Sequence, residues 1–455
     1  MESPIRQYSA SPGAEDVSAV ASTQAAGSAV EPTPEDLRRV MLASFVGTAI
    51  EWYDFFLYGT AAAIVFGRLF FPNADPLVGT LSSFATFAVG FIARPFGGII
   101  FGHFGDRVGR KTMLVYSLLI MGVATFLIGL LPTYETLGIG AAVLLVVLRC
   151  LQGIGVGGEW GGAVLMAVEH AGPRGRGLAG SWPQTGVPAG LFLSTVVFAL
   201  MNRWLSEEEF LAWGWRVPFL VSVLLIGVGV FIRLKVLESP AFARLQQRGG
   251  REERPVVAAI RNYRRSILLA VGMRAGENGI FYIYTVFVLS YGPAALGLSR
   301  TTMLAGVAVG ALVALFTIPL CGLLSDRLGR RPLYLFGAAF SLLYAYPFFL
   351  LIDSRSTGLI WLAITLGLAV GHAAMYGPQA SYFSELFGAA VRYSGASISY
   401  QLASVLFGAL APFIATYLFA TGGWQAVAAY MVTLAAISVA AVLAAPETHR
   451  ADLAS

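Results

Sequence analysis

The feature that most constrains this chain is a series of long apolar stretches that recur along almost its whole length. We count about twelve of them that are long enough to cross a hydrocarbon core of about 30 Å, which takes roughly 20 residues of α-helix. Only 12% of the 455 residues are charged, and the mean hydropathy of +0.72 lies outside the range of soluble globular proteins. The sequence therefore predicts an all-α membrane protein in contact with the lipid bilayer.

The predicted spans form two sets of six, separated by the longest polar stretch within the membrane part. The first set covers residues 38–68, 79–102, 112–131, 138–168, 177–202 and 214–236. The second set covers residues 266–291, 302–324, 333–351, 357–385, 394–420 and 424–445. We therefore expect a disordered cytoplasmic tail, an N-terminal six-helix bundle, a cytoplasmic linker, a C-terminal six-helix bundle and a short cytoplasmic tail, over residues 1–36, 37–237, 238–264, 265–445 and 446–455.

The distribution of positive charge indicates a membrane topology rather than a nucleic-acid partner. The chain has a formal net charge of +5. If the N-terminus lies in the cytoplasm, most arginines and lysines of the short loops lie on the cytoplasmic side, as the positive-inside rule requires. We expect a multi-pass protein of the plasma or inner membrane with both termini in the cytoplasm.

Metal, disulfide and enzyme chemistry find no support in the sequence. Cys150 and Cys321 fall within or at the edge of apolar spans, and two such cysteines form neither a disulfide framework nor a metal-binding spacing. No HExxH motif, paired histidine ligands or Ser/His/Asp arrangement falls at membrane depth. We expect no metal, no cofactor and no enzyme activity.

A charged decapeptide occurs once in each half of the chain. It reads GHFGDRVGRK from Gly102 and GLLSDRLGRR from Gly322, each after the second span of its half. Two copies in register predict related halves. We expect the aspartates to pair at the membrane edge with Arg107 or with the arginine that follows the fourth or tenth span. The predicted gating residues are Gly102, Asp106, Arg107, Gly109, Arg110, Glu169, Arg176, Asp326, Arg327, Arg330, Glu385 and Arg392.

Ionisable residues inside the spans mark the predicted transport site. Each costs about 3 kcal/mol at a helix centre, so the whole set must face a cavity or one another. The balance of four acids and three arginines permits near-complete pairing, and purely structural ion pairs are one alternative. The residues are Glu51, Asp54, Arg94, Arg149, Glu159, Arg274 and Glu277.

The first span carries the predicted site for substrate and proton. Glu51, Asp54 and Tyr58 have the spacing i, i+3 and i+7, which places them along one helix face. Two neighbouring carboxylates repel when both are charged, so they favour a shared proton. Arg94 offers a planar fork to a carboxylate, either that of Asp54 or that of a substrate.

The run GIGVGGEWGG, from Gly153 to Gly162, lies in an apolar span and does not follow a strand. We interpret its glycines as sites of close helix packing rather than as a dinucleotide loop. Glu159 in this run needs Arg149, Arg274 or a proton as its partner. His372, in the tenth span, is interpreted as a packing residue.

Longer motifs resemble a known family. The decapeptide resembles the signature loop of the major facilitator superfamily, and RCLQGIG, from Arg149, resembles its second motif. GTAIEWYDFFLYGTAAAIVF, FATFAVGFIARPFGG and WGWRVPF are similar to sequences of its metabolite:proton symporters, the shikimate, alpha-ketoglutarate and proline/betaine carriers. The resemblance implies twelve helices in two pseudo-symmetric six-helix bundles that rock about a central site, proton symport, and carboxylate binding at Arg94.

The expected function is proton-coupled import of a small polar metabolite by a monomer, through alternating access. The intramembrane arginines favour an organic carboxylate, either shikimate-like, aromatic or dicarboxylic. A proline/betaine-type osmolyte symporter is the alternative. A membrane nutrient sensor that does not transport is an alternative of another class.

Overall fold

The computed structural model describes residues 34–108, 110–157, 175–235, 255–388 and 391–451, with isolated residues between 160 and 171. Every regular element within these ranges is a helix. Several predicted gating and site residues lie outside the described part, either entirely or with their side chains. They are Gly109, Glu159 and Glu169, and the side chains of Asp106, Arg107 and Arg110.

The first half contributes six long helices. Helix α1 covers 34–70 and combines Pro34–Ala61, a π-helical turn at Ala62–Phe66 and Gly67–Phe70. The next five are α2 Pro76–Val108, α3 Arg110–Leu130, α4 Ile139–Val156, α5 Arg176–Trp204 and α6 Val217–Lys235. A short helix, Pro255–Asn262, lies within the stretch predicted as linker.

The second half begins with α7 Arg264–Leu296, α8 Arg300–Leu328, α9 Arg330–Asp353 and α10 Thr357–Glu385. A helical run then continues from Arg392 to Ala444. It is interrupted at Gly423, where φ is 66° and ψ is −173°, a conformation that glycine adopts readily because it lacks a Cβ. The run therefore contains two helices, α11 at 392–422 and α12 at 424–444, which completes the twelve predicted helices.

We call the side of the membrane at which α6 ends and α7 begins the linker side, and the other the far side. The predicted ends of α2 and α8 on the linker side were too early. Helix α2 continues to Val108 and α8 to Leu328, so most of each decapeptide is helical. Polar and charged residues extend these helices beyond the apolar span. Gly329, with φ 102°, forms a sharp turn after α8, and the corresponding Gly109 lies outside the described residues.

The glycines of the GIGVGG run allow α2 and α4 to pack backbone against backbone. A Cβ atom would lie 2.1 Å from the Gly90 carbonyl oxygen if placed at Gly153, and 2.0 Å from that of Arg94 if placed at Gly157. Real Cβ atoms do not approach other atoms so closely. The interpretation as close helix packing is therefore confirmed.

Contacts between the halves come from a few helices. Helix α5 packs on α1 in its own half and on α8 and α10 of the other half, while α2 contacts α11. Aromatic rings near the middle of α1, α2 and α7 add to the contact between the halves. Phe55 of α1 lies 6.5 Å from Tyr282 of α7, and Phe91 of α2 lies 5.4 Å from the same ring, measured between centroids.

Candidate functional site

A small cavity lies between the two halves, and we call it the central cavity. Its walls come from α1, α2, α4, α5, α11 and the residue Trp160. The residues that line it are Thr48, Glu51, Trp52, Arg94, Val156, Trp160, Pro183, Tyr400 and Gln401. Trp160 of the first half stacks on Tyr400 of the second, with ring centroids 3.8 Å apart. This stack places aromatic rings of both halves in the wall of the cavity.

Arg94 is the buried cation that faces the central cavity. Its side chain is 1% exposed, and its guanidinium lies over the rings of Phe55 at 4.4 Å and Phe91 at 4.5 Å. Two of its nitrogens, Nε and Nη2, have no hydrogen-bond partner among the described residues. Because α2 ends at Val108, Arg94 lies about 21 Å from that end, deeper than the roughly 12 Å expected from the earlier predicted end.

The three residues on the predicted face of α1 lie in three different environments. Glu51 lines the central cavity. Asp54 is 0% exposed, and neither of its oxygens has a hydrogen-bond partner among the described residues. The Tyr58 hydroxyl donates to Thr86 Oγ1 at 2.7 Å. The helix therefore presents one acid to the cavity and buries the other behind it.

Arg149 is held by neutral groups rather than by an acid of the described part. Its Nη1 donates to Gln152 Oε1 at 3.0 Å, and its Nε and Nη2 both donate to the Phe87 carbonyl at 3.4 Å. Its guanidinium lies 4.3 Å from the ring centroid of Tyr58. Cation–π contacts of this kind satisfy a buried guanidinium without neutralising it. The near-complete pairing of acids and arginines that the sequence permits does not extend to Arg149 among the described residues.

Arg274 and Glu277 form a saturated ion pair in α7. Arg274 Nε donates to Glu277 Oε2 at 2.9 Å, and its Nη1 donates to the Tyr400 carbonyl at 2.8 Å. Glu277 also accepts from Gln379 Nε2 at 2.9 Å and lies 3.3 Å from His372 Nε2. His372 is therefore a polar partner of the ion pair and not only a packing residue.

On the linker side, Asp326 connects the two halves. Its carboxylate accepts from the backbone amides of Gly177 at 2.8 Å and Leu178 at 3.0 Å, at the start of α5. An acid at this position also complements the helix dipole. Arg330 Nη1 donates to Asp326 at 2.7 Å. Arg330 is thus the partner of Asp326, whereas Arg327, which corresponds to Arg107 of the first decapeptide, has an exposed side chain.

Arg330 links this contact to the rest of the linker side. Its Nη2 lies 3.2 Å from Glu385 Oε1. Arg392, which sequence reasoning offered as a partner of Asp326, instead donates from Nε to the Ser384 carbonyl at 3.0 Å. Arg176 donates to the Ala451 carbonyl at 2.8 Å, which joins the first half to the segment after α12. The repeat therefore identified the right region, but the partners predicted for Asp326 were wrong; the pairs predicted for Asp106 lie outside the described residues.

On the far side, Glu207 bridges the halves, and sequence reasoning missed it. Glu207 Oε1 lies 2.5 Å from Arg68 Nη1 and 3.4 Å from Arg300 Nη2. The hydrogen bond from Arg68 and the charge of Arg300 hold the pKa of Glu207 below its usual value. Its carboxylate lies outside the apolar spans, where charged residues are common, so no local signal distinguishes it.

The comparisons with known proteins identify the family. The model of the Major Facilitator Superfamily matches residues 44–409. The chain belongs to the major facilitator superfamily. Its curated relatives place it among the metabolite:proton symporters predicted from the motifs. It is a multi-pass secondary transporter and not an enzyme.

Two relatives from Escherichia coli strain K12 have informative names. A shikimate transporter is 43% identical over 421 residues, which cover 91% of this chain and 95% of the relative. A proline/betaine transporter is 37% identical over 391 residues, which cover 84% of this chain and 78% of the relative. The proton:xylose symporter XylE has the same fold, with a TM-score of 0.71 at 18% identity over 92% of this chain and 98% of that one.

A substitution at Asp326 tests whether its contact with α5 and Arg330 helps to close the linker side during transport. Asp326→Asn removes the ion pair with Arg330 and weakens the hydrogen bonds to the start of α5, which join the two halves on the linker side. We expect turnover to fall about tenfold with little change in KM, as the loss of one charge-assisted hydrogen bond predicts. Initial uptake rates in proteoliposomes give both constants.

Asp353→Asn is the matched control. Asp353 accepts from the Tyr291 hydroxyl at 2.6 Å, and both residues belong to the second half. Turnover of this variant should stay near that of the wild type. An unchanged turnover in Asp326→Asn would show that the contact plays no part in the transport cycle.

Proposed function

We propose that this chain is a proton symporter that imports a small organic carboxylate by alternating access. The proposal rests first on Arg94, a buried guanidinium at a cavity between the two halves whose Nε and Nη2 have no hydrogen-bond partner among the described residues. An unsatisfied buried donor is costly, and a carboxylate supplies two acceptors in the geometry of this fork. The relative named a shikimate transporter supports a carboxylate as the substrate class.

The coupling proton is assigned to Asp54. An ionised carboxylate buried without a donor is strongly disfavoured, so the neutral form fits the geometry seen here. Glu51 connects the proposed substrate site at Arg94 with the proposed proton site at Asp54. It lines the cavity beside Arg94, and its charge acts on Asp54. A proton on Asp54 removes a negative charge near the substrate anion. The two therefore bind more strongly together than alone, which symport requires.

A proline/betaine-type substrate is the second candidate. The cavity combines Glu51 with the rings of Trp52, Trp160 and Tyr400, and aromatic faces beside an acid can hold a quaternary ammonium group. The relative named a proline/betaine transporter also supports this substrate class. Competition separates the candidates, because unlabelled organic acids would inhibit a carboxylate carrier and leave uptake by a betaine carrier unchanged.

We also propose the orientation and the unit of function. The linker side is cytoplasmic, because the basic residues of both decapeptides lie there. The two tails, the two bundles and the linker keep the boundaries predicted from the sequence. The chain works as a monomer in the inner membrane. Protons are its only coupling ion.

Reporter fusions test the orientation. Alkaline phosphatase and green fluorescent protein fused after Glu253 and after Ser455 should both report the cytoplasm, because an even number of helices precedes each position. A fusion after Ser206, on the far side, is the control and should report the periplasm. Opposite locations for Glu253 and Ser455 would contradict the proposed arrangement.

The role of Arg94 is tested by Arg94→Lys. A lysine keeps the charge but has no planar fork, so we expect the apparent affinity for the acid to fall about tenfold to a hundredfold. Equilibrium binding and counterflow of the labelled acid measure this loss. Arg216→Lys, at a guanidinium that donates to the Gly129 and Leu131 carbonyls away from the cavity, is the control. Full affinity in Arg94→Lys would assign Arg94 to structure alone.

The role of Asp54 is tested by Asp54→Asn. The amide resembles the neutral carboxyl and cannot release a proton, so uphill accumulation should be lost while exchange of substrate across the membrane continues. Uptake driven by an imposed pH gradient and counterflow without a gradient measure the two activities. Glu51→Gln is the companion variant. Accumulation retained in Asp54→Asn and lost in Glu51→Gln would move the proton to Glu51.

A further inference from the structure

Gln401 of α11 contributes a hydrogen-bond acceptor to the central cavity. Its side chain lines the cavity, and its Nε2 donates to the Gly157 carbonyl of the other half at 3.3 Å. Because a carbonyl oxygen only accepts, the amide cannot turn over without losing this bond. Oε1 is therefore the atom left for another group, and it is buried without a hydrogen-bond partner among the described residues.

Arg94 and Gln401 present opposite requirements to the same cavity. Arg94 of the first half has two donors, Nε and Nη2, without acceptors among the described residues, whereas Gln401 of the second half has an acceptor without a donor. A carboxylate satisfies Arg94 but has no proton to donate. A ligand that satisfies both residues must therefore combine a carboxylate with a donor group.

We propose that Gln401 determines specificity by accepting a hydrogen bond from a hydroxyl group of the carboxylate substrate. The inference rests on the proposed function, in which Arg94 binds the carboxylate. It narrows the substrate to a hydroxylated acid. An ionised dicarboxylate, an unsubstituted aromatic acid and a betaine all lack the required proton, and an acceptor left buried and unpaired opposes their binding.

The rest of the cavity wall suits the carbon frame of such an acid. Val156 and Pro183 are apolar, and the rings of Trp160 and Tyr400 are stacked on each other. Trp160 Nε1 donates to Gln184 Oε1 at 2.9 Å, so this donor already has its acceptor. These four residues therefore provide apolar contact and leave the hydroxyl to Gln401.

Gly157 anchors Gln401 close to Arg94. A Cβ atom at Gly157 would lie 2.0 Å from the Arg94 carbonyl oxygen, so Gly157 packs directly on the helix turn that carries Arg94. The cavity has a volume of about 20 Å³, room for about one water molecule, so the halves must move apart to admit an acid. The carboxylate and the hydroxyl of one ligand then connect the two halves beside the bond that connects them here.

Paired binding measurements on the purified protein test the proposal without a proton gradient. Each pair is a hydroxylated acid and its parent: trihydroxycyclohexenecarboxylate and cyclohexenecarboxylate, hydroxybenzoate and benzoate, and malate and succinate. Isothermal titration calorimetry gives Kd for each acid. In at least one pair the wild type should bind the hydroxylated acid about tenfold more tightly, as one hydrogen bond predicts.

Gln401→Met keeps the length of the side chain but has no amide oxygen. It should weaken binding of the hydroxylated acid about tenfold and leave the parent acid unchanged, so the preference disappears. A purely structural role of Gln401, through its bond to Gly157, would instead weaken both members of a pair equally. If Gln401→Met does not fold, Gln401→Leu gives the same comparison.

Asn202→Leu is the matched control. Asn202 also has a partly buried amide that donates to the other half, to Thr301 Oγ1 at 2.9 Å, but it does not line the cavity. Its preference between the members of each pair should equal that of the wild type.

The outcomes separate this proposal from the proposed function. Equal affinities of the wild type within every pair, or a preference that survives in Gln401→Met, would overturn the role of Gln401 even where Arg94→Lys weakens every acid. A preference lost in Gln401→Met would support that role even if uptake did not depend on a proton gradient. A protein that binds none of the acids, whether or not it binds a betaine, would overturn both.

Discussion

A guanidinium in the middle of a membrane must be satisfied by protein groups, because the surrounding hydrocarbon offers none. Three arginines impose this requirement here, and much of the interior is arranged around them. Arg149 and Arg94 lie among aromatic rings, and Arg274 lies over Tyr400 beside its ion-pair partner. The glycines that bring α2 and α4 into backbone contact fix the positions of Arg94 and Arg149 relative to each other.

Buried charged groups have more hydrogen-bond partners in the second half than in the first, and this difference indicates where ligands bind. In the second half, Glu277 receives hydrogen bonds from Arg274 and Gln379 and has His372 beside it. In the first half, Asp54 has no donor and Arg94 has two nitrogens without acceptors, within the described residues. A saturated ion pair stabilises a helix contact. An incomplete site can gain free energy by taking up a proton or an anion.

The two membrane sides are joined by different chemistry. On the linker side, backbone amides of α5 bind the carboxylate of Asp326, so the contact depends on close approach of two helix ends. On the far side, Glu207 forms ion pairs through exposed side chains, which are weak in water. The aromatic rings of Phe55, Phe91 and Tyr282 join the halves between the two sides, near the middle of α1, α2 and α7. Opening either side must break only the contacts on that side.

The sequence by itself determined the twelve helices, the repeat and the family, because hydropathy and motifs are local properties of the chain. It also identified the costly buried charges. Only the tertiary structure decided which groups meet them. The role of His372 carries no signal in a single sequence, because its contact with Glu277 depends on the packing of α10 against α7, which are distant along the chain. The pairing of Asp326 with Arg330 and α5 was likewise set by helix ends that extend beyond the apolar spans.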